Sequence, residues 1–121
     1  MPCINIVRRQ EQVDLLKNEY GAAHVLNSSS ENFKEEFSAL CKELKATLLI
    51  ECVGGDITGT IMECMPSRSK AFFYGALSET GPSNIDPLLL IGRNQVLEGW
   101  ILNDWINSKG MMGLLKTIPK I

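Results

Sequence analysis

The chain has 121 residues, of which 45% are hydrophobic and 21% are charged, and this composition suits one compact domain with an apolar core. With a net charge of -2 and no basic run longer than Arg8-Arg9, the chain lacks the basic surface that nucleic acids require, so we expect no nucleic-acid partner. The longest apolar runs are too short to cross a bilayer and no signal-peptide layout is present, so we expect a cytoplasmic protein with no membrane partner.

The start of the chain predicts two strands with a helix between them. Cys3 to Val7 is a short run rich in Ile and Val, which is typical of a strand. Gln10 to Tyr20 carries apolar residues at helical spacing and is followed by Gly21, a common residue just after a helix. A second short apolar run, Ala23 to Asn27, predicts the next strand.

An amphipathic helix and a buried strand come next. Between Phe33 and Leu44 the apolar residues recur at the 3.6-residue period, which predicts a helix with one buried face. Ser28 and Glu31 lie three residues apart and predict a capping box at the start of this helix. Thr47 to Val53 is apolar with little alternation, which is typical of a central parallel strand covered by helices on both faces.

The second half of the chain continues the alternation of helices and strands. Its predicted elements are a helix capped by Asp56, a strand at Ala71 to Tyr74, a helical turn at Pro87 to Leu90, a strand at Gln95 to Ile101 and a helix capped by Asn103 or Asp104. This alternation predicts an α/β fold with a mostly parallel sheet and right-handed crossovers.

No motif of the sequence predicts a metal site or a catalytic constellation. The cysteines Cys3, Cys41, Cys52 and Cys64 are widely spread without a C-x-x-C pair, so we expect reduced core thiols and no metal. His24 is the one histidine, and no nucleophile with a base and an orienting partner is recognisable around it. We therefore name no catalytic residue and expect a structural role for His24.

The candidate site residues follow from the predicted sheet, because ligands of open α/β folds bind at the carboxyl ends of the strands. The predicted exits are Arg8-Arg9, Asn27-Ser28, Val53-Gly54-Gly55 and Tyr74-Gly75-Ala76-Leu77.

Two of these exits allow more than one interpretation. Arginine after the second strand of a dinucleotide fold suits the 2′-phosphate of NADP, but Arg8-Arg9 is equally compatible with a solvated pair at a helix start. The pair Gly54-Gly55 would let the backbone approach a ligand closely, or it forms a tight turn.

Several segments resemble, in the same order, the medium-chain dehydrogenase/reductase superfamily, with the closest likeness to its zinc-independent quinone oxidoreductase and enoyl reductase branches. These segments are Arg8 to Leu16, Gly21 to Asn27, Glu51 to Gly55, Tyr74 to Leu77 and Glu98 to Trp100.

The resemblance implies an NADPH-binding Rossmann domain and a homodimer formed through the strand at Gln95 to Ile101. It puts Arg8 or Arg9 near the adenosine 2′-phosphate. The nicotinamide side would be lined by Val53, Gly54, Tyr74, Gly75 and Ala76.

The sequence also departs from this family. It contains no G-x-G-x-x-G loop, so the first strand and the phosphate-binding loop would lie upstream of Met1, and residues 1–121 would form a partial dinucleotide-binding domain. Ser28 stands where the family often has an aromatic residue. The absent strand is central in the family, so we expect the strands at Cys3 to Val7 and Thr47 to Val53 to pair directly, or another chain to supply the pairing.

The first functional hypothesis is a nucleotide-binding fragment of an NADPH-dependent oxidoreductase that reduces a quinone or an α,β-unsaturated carbonyl by hydride transfer. Such a fragment would be inactive alone and would bind NADP(H) weakly or not at all. The second hypothesis is a non-catalytic, self-associating α/β module. A flavodoxin-like or response-regulator domain is disfavoured, because the sequence has neither a phosphate loop nor clustered acidic residues at the predicted strand ends.

Overall fold

The structure is a computed structural model that describes residues 1–118, and in these residues five strands alternate with five helices. The strands are β1 (Ile4–Val7), β2 (His24–Asn27), β3 (Leu48–Glu51), β4 (Lys70–Phe73) and β5 (Val96–Gly99). The helices are α1 (Gln10–Asn18), α2 (Phe33–Leu44), α3 (Asp56–Cys64), α4 (Pro87–Arg93) and α5 (Leu102–Thr117). The predicted α/β alternation is therefore confirmed, with most element ends displaced by a few residues.

The strands form two parallel sheets within residues 1–118. β1 pairs with β2, while β3, β4 and β5 pair in that order, and every pair is parallel as predicted. The predicted direct pairing of the strand at Cys3 to Val7 with the strand at Thr47 to Val53 is wrong, because β1 and β3 belong to different sheets. Packing between α2 and α3, and not strand hydrogen bonding, joins the two sheets. Pairing by another chain stays a prediction.

One apolar core serves both sheets. Phe33 and Phe37 of α2 stack with their ring centroids 5.5 Å apart. They are buried in one cluster with other side chains of α2, of α3 and its C-cap, and of β4, namely Cys41, Ile61, Met62, Met65 and Ala71. Half-buried side chains from both sheets pack against this cluster, among them Ile6, Leu26, Leu49 and Leu97. The helical stripe predicted between Phe33 and Leu44 is thus the centre of the fold.

The prediction that helices cover both faces of β3 is wrong. Its residues alternate, with Leu49 half-buried and Glu51 buried, whereas Leu48 and Ile50 are 52% and 59% exposed. Because Leu48 and Ile50 point to the same face of the sheet, that face has no covering helix within residues 1–118. The apolar run of β3 therefore reflects one buried face and one open face.

The predicted capping box at Ser28 and Glu31 is wrong, because α2 begins at Phe33, after Asn32. The serines before it extend the contact between the ends of β1 and β2 instead. The amide of Ser28 donates to the carbonyl of Val7 at 2.7 Å, and the hydroxyl of Ser29 donates to the carbonyl of Arg8 at 2.9 Å.

The other predicted caps also differ from the structure. Asp56 is the first residue of α3 and follows the N-cap Gly55, and its carboxylate accepts a hydrogen bond from the Ser83 hydroxyl at 2.5 Å. Neither Asn103 nor Asp104 caps α5, because the first amides of this helix donate to the carbonyl of Ile101.

The cysteines do not share one environment. Cys41 is buried, Cys52 and Cys64 are half-buried, and Cys3 is exposed, so the prediction of core thiols is wrong for Cys3, which lies before β1. Burial, together with the neighbouring Cys64, raises the pKa of Cys41 to about 11, which keeps its thiol protonated. Across residues 1–118, no helix combines the length and the apolar character that a membrane crossing needs.

The shared core predicts an asymmetric response to truncation of large side chains. Phe37→Ala removes a ring that is 3% exposed, and we expect the free energy of unfolding to fall by about 3 to 5 kcal/mol in urea denaturation. The control Leu88→Ala truncates a side chain that is 77% exposed and should change that free energy by less than about 0.5 kcal/mol. Equal effects of the two variants would contradict a core centred on α2.

Candidate functional site

The first group of predicted site residues lies where β1 and β2 end. The hydrogen bonds of Ser28 and Ser29 to the end of β1 bring Ser28 beside the Arg8-Arg9 pair. The side-chain oxygen of Gln12 accepts from the amides of Arg8 and Arg9 at 3.2 and 3.1 Å, which fixes the turn from β1 into α1. Both arginine side chains project from this turn into solvent.

The two arginines differ in their charge partners. Arg9 forms an ion pair with Glu11 at 3.0 Å, and both side chains are about 70% exposed, so the pair contributes little to stability. Within residues 1–118 Arg8 has no ion pair with an acidic residue. Its guanidinium is therefore available for an anionic ligand at the end of β1.

The second group of predicted site residues lies where β3 and β4 end. The turn of Val53, Gly54 and Gly55 follows β3, and the segment from Tyr74 to Leu77 follows β4. The amide of Leu77 donates to the carbonyl of Cys52 at 2.8 Å, so hydrogen bonds bring the two exits together. This group belongs to the second sheet, and the group of Arg8, Arg9 and Ser28 belongs to the first.

The glycine pair has a clear geometric reason. Gly54 and Gly55 have φ angles of 77° and 72°, a region that residues with a Cβ rarely adopt. A Cβ on Gly54 would lie 2.5 Å from the carbonyl oxygen of Thr80. The segment after β4 therefore lies directly against Gly54, and the positive φ angles favour glycine at both positions.

The segment after Leu77 is held over this turn by several hydrogen bonds. The hydroxyl of Ser78 donates to the carbonyl of Val53 at 2.6 Å, and the amide of Ser78 donates to the same oxygen at 2.9 Å. Further along, the amide of Gly55 donates to the carbonyl of Gly81, and the amide of Ser83 donates to the carbonyl of Gly55. Hydrogen bonds to residues 78–83 therefore cover the turn that follows β3.

A buried carboxylate lies under the same turn. Glu51, the last residue of β3, is 4% exposed. One of its oxygens accepts from the amides of Val53 and Gly54 at 2.7 and 3.2 Å, and the other accepts from the Thr58 hydroxyl at 3.3 Å. We did not predict a role for Glu51, although a carboxylate inside an apolar strand run is a recognisable signal, because such a group must be hydrogen bonded when buried.

Tyr74 and Cys52 form a titratable pair at the same exit. The neighbouring Cys52 side chain raises the pKa of Tyr74, because it favours the protonated hydroxyl over the phenolate. The Tyr74 side chain is 53% exposed, so its hydroxyl stays protonated while open to solvent.

A cleft of about 450 Å³ lies between the end of β2 and the start of α3. Its lining residues are Ser28, Ser30, Glu31, Phe33, Lys34, Asp56, Ile57 and Thr60. Of the predicted cofactor residues only Ser28 lines it, and Lys34 contributes a cation whose hydrogen bond to Glu63 raises its pKa. A smaller cavity of about 180 Å³ lies under residues 84–86, away from the strand exits. No cluster suited to a metal ion is found within residues 1–118.

The chain matches one family model over almost its whole length. Residues 3–117 match the family described as zinc-binding dehydrogenase. No curated protein sequence matches the chain.

Among solved structures, the chain is similar to a candidate NADPH:quinone reductase from Mesorhizobium loti, with 31% identity and a TM-score of 0.79. The match covers 89% of this chain and 31% of that protein. A heterodimeric mitochondrial 2-enoyl thioester reductase from Candida tropicalis has 20% identity and a TM-score of 0.77, over 95% of this chain and 34% of its own. A complex of one such reductase with NADP and crotonyl-CoA has 22% identity and a TM-score of 0.74, and the match covers 88% of this chain and 31% of that protein. The chain therefore spans about a third of the length of these proteins.

The pairing of Tyr74 with Cys52 predicts a measurable change in titration. A thiol ionises at lower pH than a phenol, so the Tyr74 phenolate would form beside a thiolate, which opposes its formation. In a Tyr20→Phe background, where Tyr74 is the one remaining tyrosine, we expect Cys52→Ala to lower the pKa of Tyr74 towards its ordinary value of 10.0. The phenolate absorbance in the near ultraviolet reports the midpoint. Cys3→Ala serves as the control, and an unchanged midpoint in Cys52→Ala would disprove the coupling.

Proposed function

Since the chain belongs to the zinc-binding dehydrogenase family, we propose that it binds NADPH as part of the nucleotide-binding domain of an oxidoreductase. The observation that carries this proposal is the exposed Arg8-Arg9 pair at the end of β1, with the Arg8 guanidinium unpaired in residues 1–118. A guanidinium binds a phosphate through two parallel, charge-assisted hydrogen bonds. The 2′-phosphate distinguishes NADP from NAD, so this pair favours NADP.

In the proposed complex the two groups of strand exits bind the two halves of the cofactor. Arg8 or Arg9 holds the adenosine 2′-phosphate, and Ser28 at the adjacent exit offers a hydroxyl to the ribose side. The nicotinamide half lies along the second exit, formed by Val53, Gly54 and Gly55 with the segment from Tyr74 to Leu77. The backbone polar groups of the glycine turn are hydrogen bonded within the chain, so the exposed segment from Tyr74 to Leu77 offers the contacts to the nicotinamide ring.

The reaction of the whole protein, we propose, is reduction of a quinone or an α,β-unsaturated carbonyl. NADPH, when bound, supplies the hydride for such a reaction. The likeness to a candidate NADPH:quinone reductase at 31% identity supports the quinone. We propose no catalytic residue within this chain and expect it to be inactive in isolation. Four cysteines without a disulfide suit a reducing compartment such as the cytoplasm.

Self-association through β5 is the second part of the proposal, and it is also the alternative function if nucleotide binding is absent. β5 pairs with β4 on one side, and no strand pairs with its other side within residues 1–118. Val96, the first residue of β5, is 42% exposed, and Trp100 and Ile101, which follow the strand, are 40% and 61% exposed. An unpaired strand edge with apolar neighbours is a template for pairing with a second copy.

The cofactor proposal predicts a specific loss on substitution at β1. We expect isothermal titration calorimetry to detect binding of NADPH that is stronger than binding of NADH. Arg8→Ala should weaken NADPH binding by about tenfold, the effect of losing one charge-assisted contact, and should leave NADH binding unchanged. The control Arg68→Ala removes an exposed arginine away from the strand exits. Equal affinity of the wild-type chain for NADPH and NADH would contradict the assignment of the 2′-phosphate site.

The dimer proposal predicts that a proline at the outer edge of β5 separates the subunits. The amides of Val96 and Trp100 donate to the carbonyls of Ser69 and Phe73 on the β4 side, so in a regular parallel pair the amide of Gly99 points away from β4. Gly99→Pro removes this outward donor and leaves the pairing with β4 intact. We expect a dimer for the wild-type chain and a monomer for Gly99→Pro in analytical ultracentrifugation.

The control for this experiment is Ile50→Lys, which changes the open face of β3 and leaves the edge of β5 unchanged. We expect this variant to remain dimeric. A monomeric Ile50→Lys beside a dimeric Gly99→Pro would contradict the proposed edge and indicate the sheet face instead.

A further inference from the structure

We propose that Glu51 is the positioning residue of the nicotinamide side, because its carboxylate holds the Val53 to Gly55 turn in the form that faces the cofactor. This inference rests on the proposed NADPH-binding function. Glu51 does not touch the proposed cofactor position itself. It acts through the backbone amides of the turn. Glu51 is not among the site residues that the sequence predicts.

The first support is the completeness of the hydrogen bonding at this carboxylate. Its two oxygens accept three hydrogen bonds, two from the amides of Val53 and Gly54 and one from the Thr58 hydroxyl. Both Glu51 and Thr58 are buried, with exposures of 4% and 0%. A buried carboxylate is costly unless its lone pairs are satisfied, so the turn and the carboxylate stabilise one another.

The second support is the absence of a compensating cation. No lysine or arginine forms an ion pair with Glu51 in the described part of the chain. The carboxylate instead lies at the N-terminal end of α3, where the aligned peptide dipoles favour a negative charge. The Glu51 carboxylate is therefore held by the amides of the turn and by Thr58 in the first turn of α3.

The third support is that the same turn carries the segment after β4. The carbonyl of Val53 accepts two hydrogen bonds from Ser78, and the carbonyl of Cys52 accepts one from Leu77. Glu51 thus fixes the amide side of the turn, while the carbonyl side fixes the segment that contains Tyr74 to Leu77. Releasing the amides frees both predicted components of the nicotinamide side together.

Two substitutions at Glu51 separate positioning from mere charge. Glu51→Ala removes all three acceptors and leaves the amides of Val53 and Gly54 without partners. In Glu51→Gln the amide oxygen can accept from both backbone amides, and the amide nitrogen can donate to the Thr58 hydroxyl. Glu43→Ala, at an exposed position of α2, is the matched control.

The experiment combines amide hydrogen exchange by NMR with NADPH titration of the full 121-residue chain. For Glu51→Ala we expect exchange at Val53, Gly54, Leu77 and Ser78 to be at least about tenfold faster, with unchanged exchange in α2, and NADPH affinity to fall by about tenfold. Glu51→Gln should restore the slow exchange and most of the affinity. Glu43→Ala should match the wild-type chain in both measurements.

Two results would overturn the inference. One is unchanged exchange at Val53 and Gly54 in Glu51→Ala, and the other is an equal loss of affinity in Glu51→Ala and Glu51→Gln. If Glu51→Ala does not fold, Thr58→Val removes one of the three hydrogen bonds, and exchange at Val53 and Gly54 should then be about threefold faster. If the wild-type chain does not bind NADPH, the proposed function fails, whereas the exchange data still decide whether Glu51 holds the turn.

Discussion

The packing of α2 against α3 is the interaction on which the rest of this structure depends. Within residues 1–118, β1-β2 and β3-β4-β5 share no strand hydrogen bonds, so helix packing is needed to fix their relative position. The stacked pair Phe33 and Phe37 lies at the centre of that packing, and half-buried residues from both sheets contact the same cluster. Because protein interiors are packed as densely as organic crystals, such a core can hold two sheets in one orientation.

The residues of the candidate site are likewise divided between the two sheets. The exit with Arg8 and Ser28, proposed to bind the 2′-phosphate, belongs to the first sheet, and the exit proposed to bind the nicotinamide belongs to the second. At the second exit, the buried carboxylate of Glu51 and the segment around Ser78 hold the turn of Gly54 and Gly55 from both sides. The first exit is an open turn whose arginine side chains are exposed. A cofactor that spans both groups would add its own contacts to the helix packing that joins the sheets.

Local sequence patterns predict both the medium-chain dehydrogenase/reductase family and the strands and helices of its nucleotide-binding fold. Both predictions are confirmed. The apolar period of α2 and the Ile and Val of β1 are signals carried by neighbouring residues. The role of Gly54 could not be predicted in the same way, because the carbonyl that excludes a Cβ belongs to Thr80, far along the chain. Likewise the capping box at Ser28 failed because a tertiary contact to Val7 competes for that segment.

The central claim is that one cofactor contacts strand exits on both sheets. Chemical-shift mapping of the backbone amides during NADPH titration tests it most directly, since each exit reports separately. We expect shifts at Arg8, Arg9 and Ser28 and, at the same NADPH concentrations, at Val53, Gly54 and Gly75 to Leu77. Shifts confined to one of these groups, or spread over α5 and the open face of β3 instead, would contradict it.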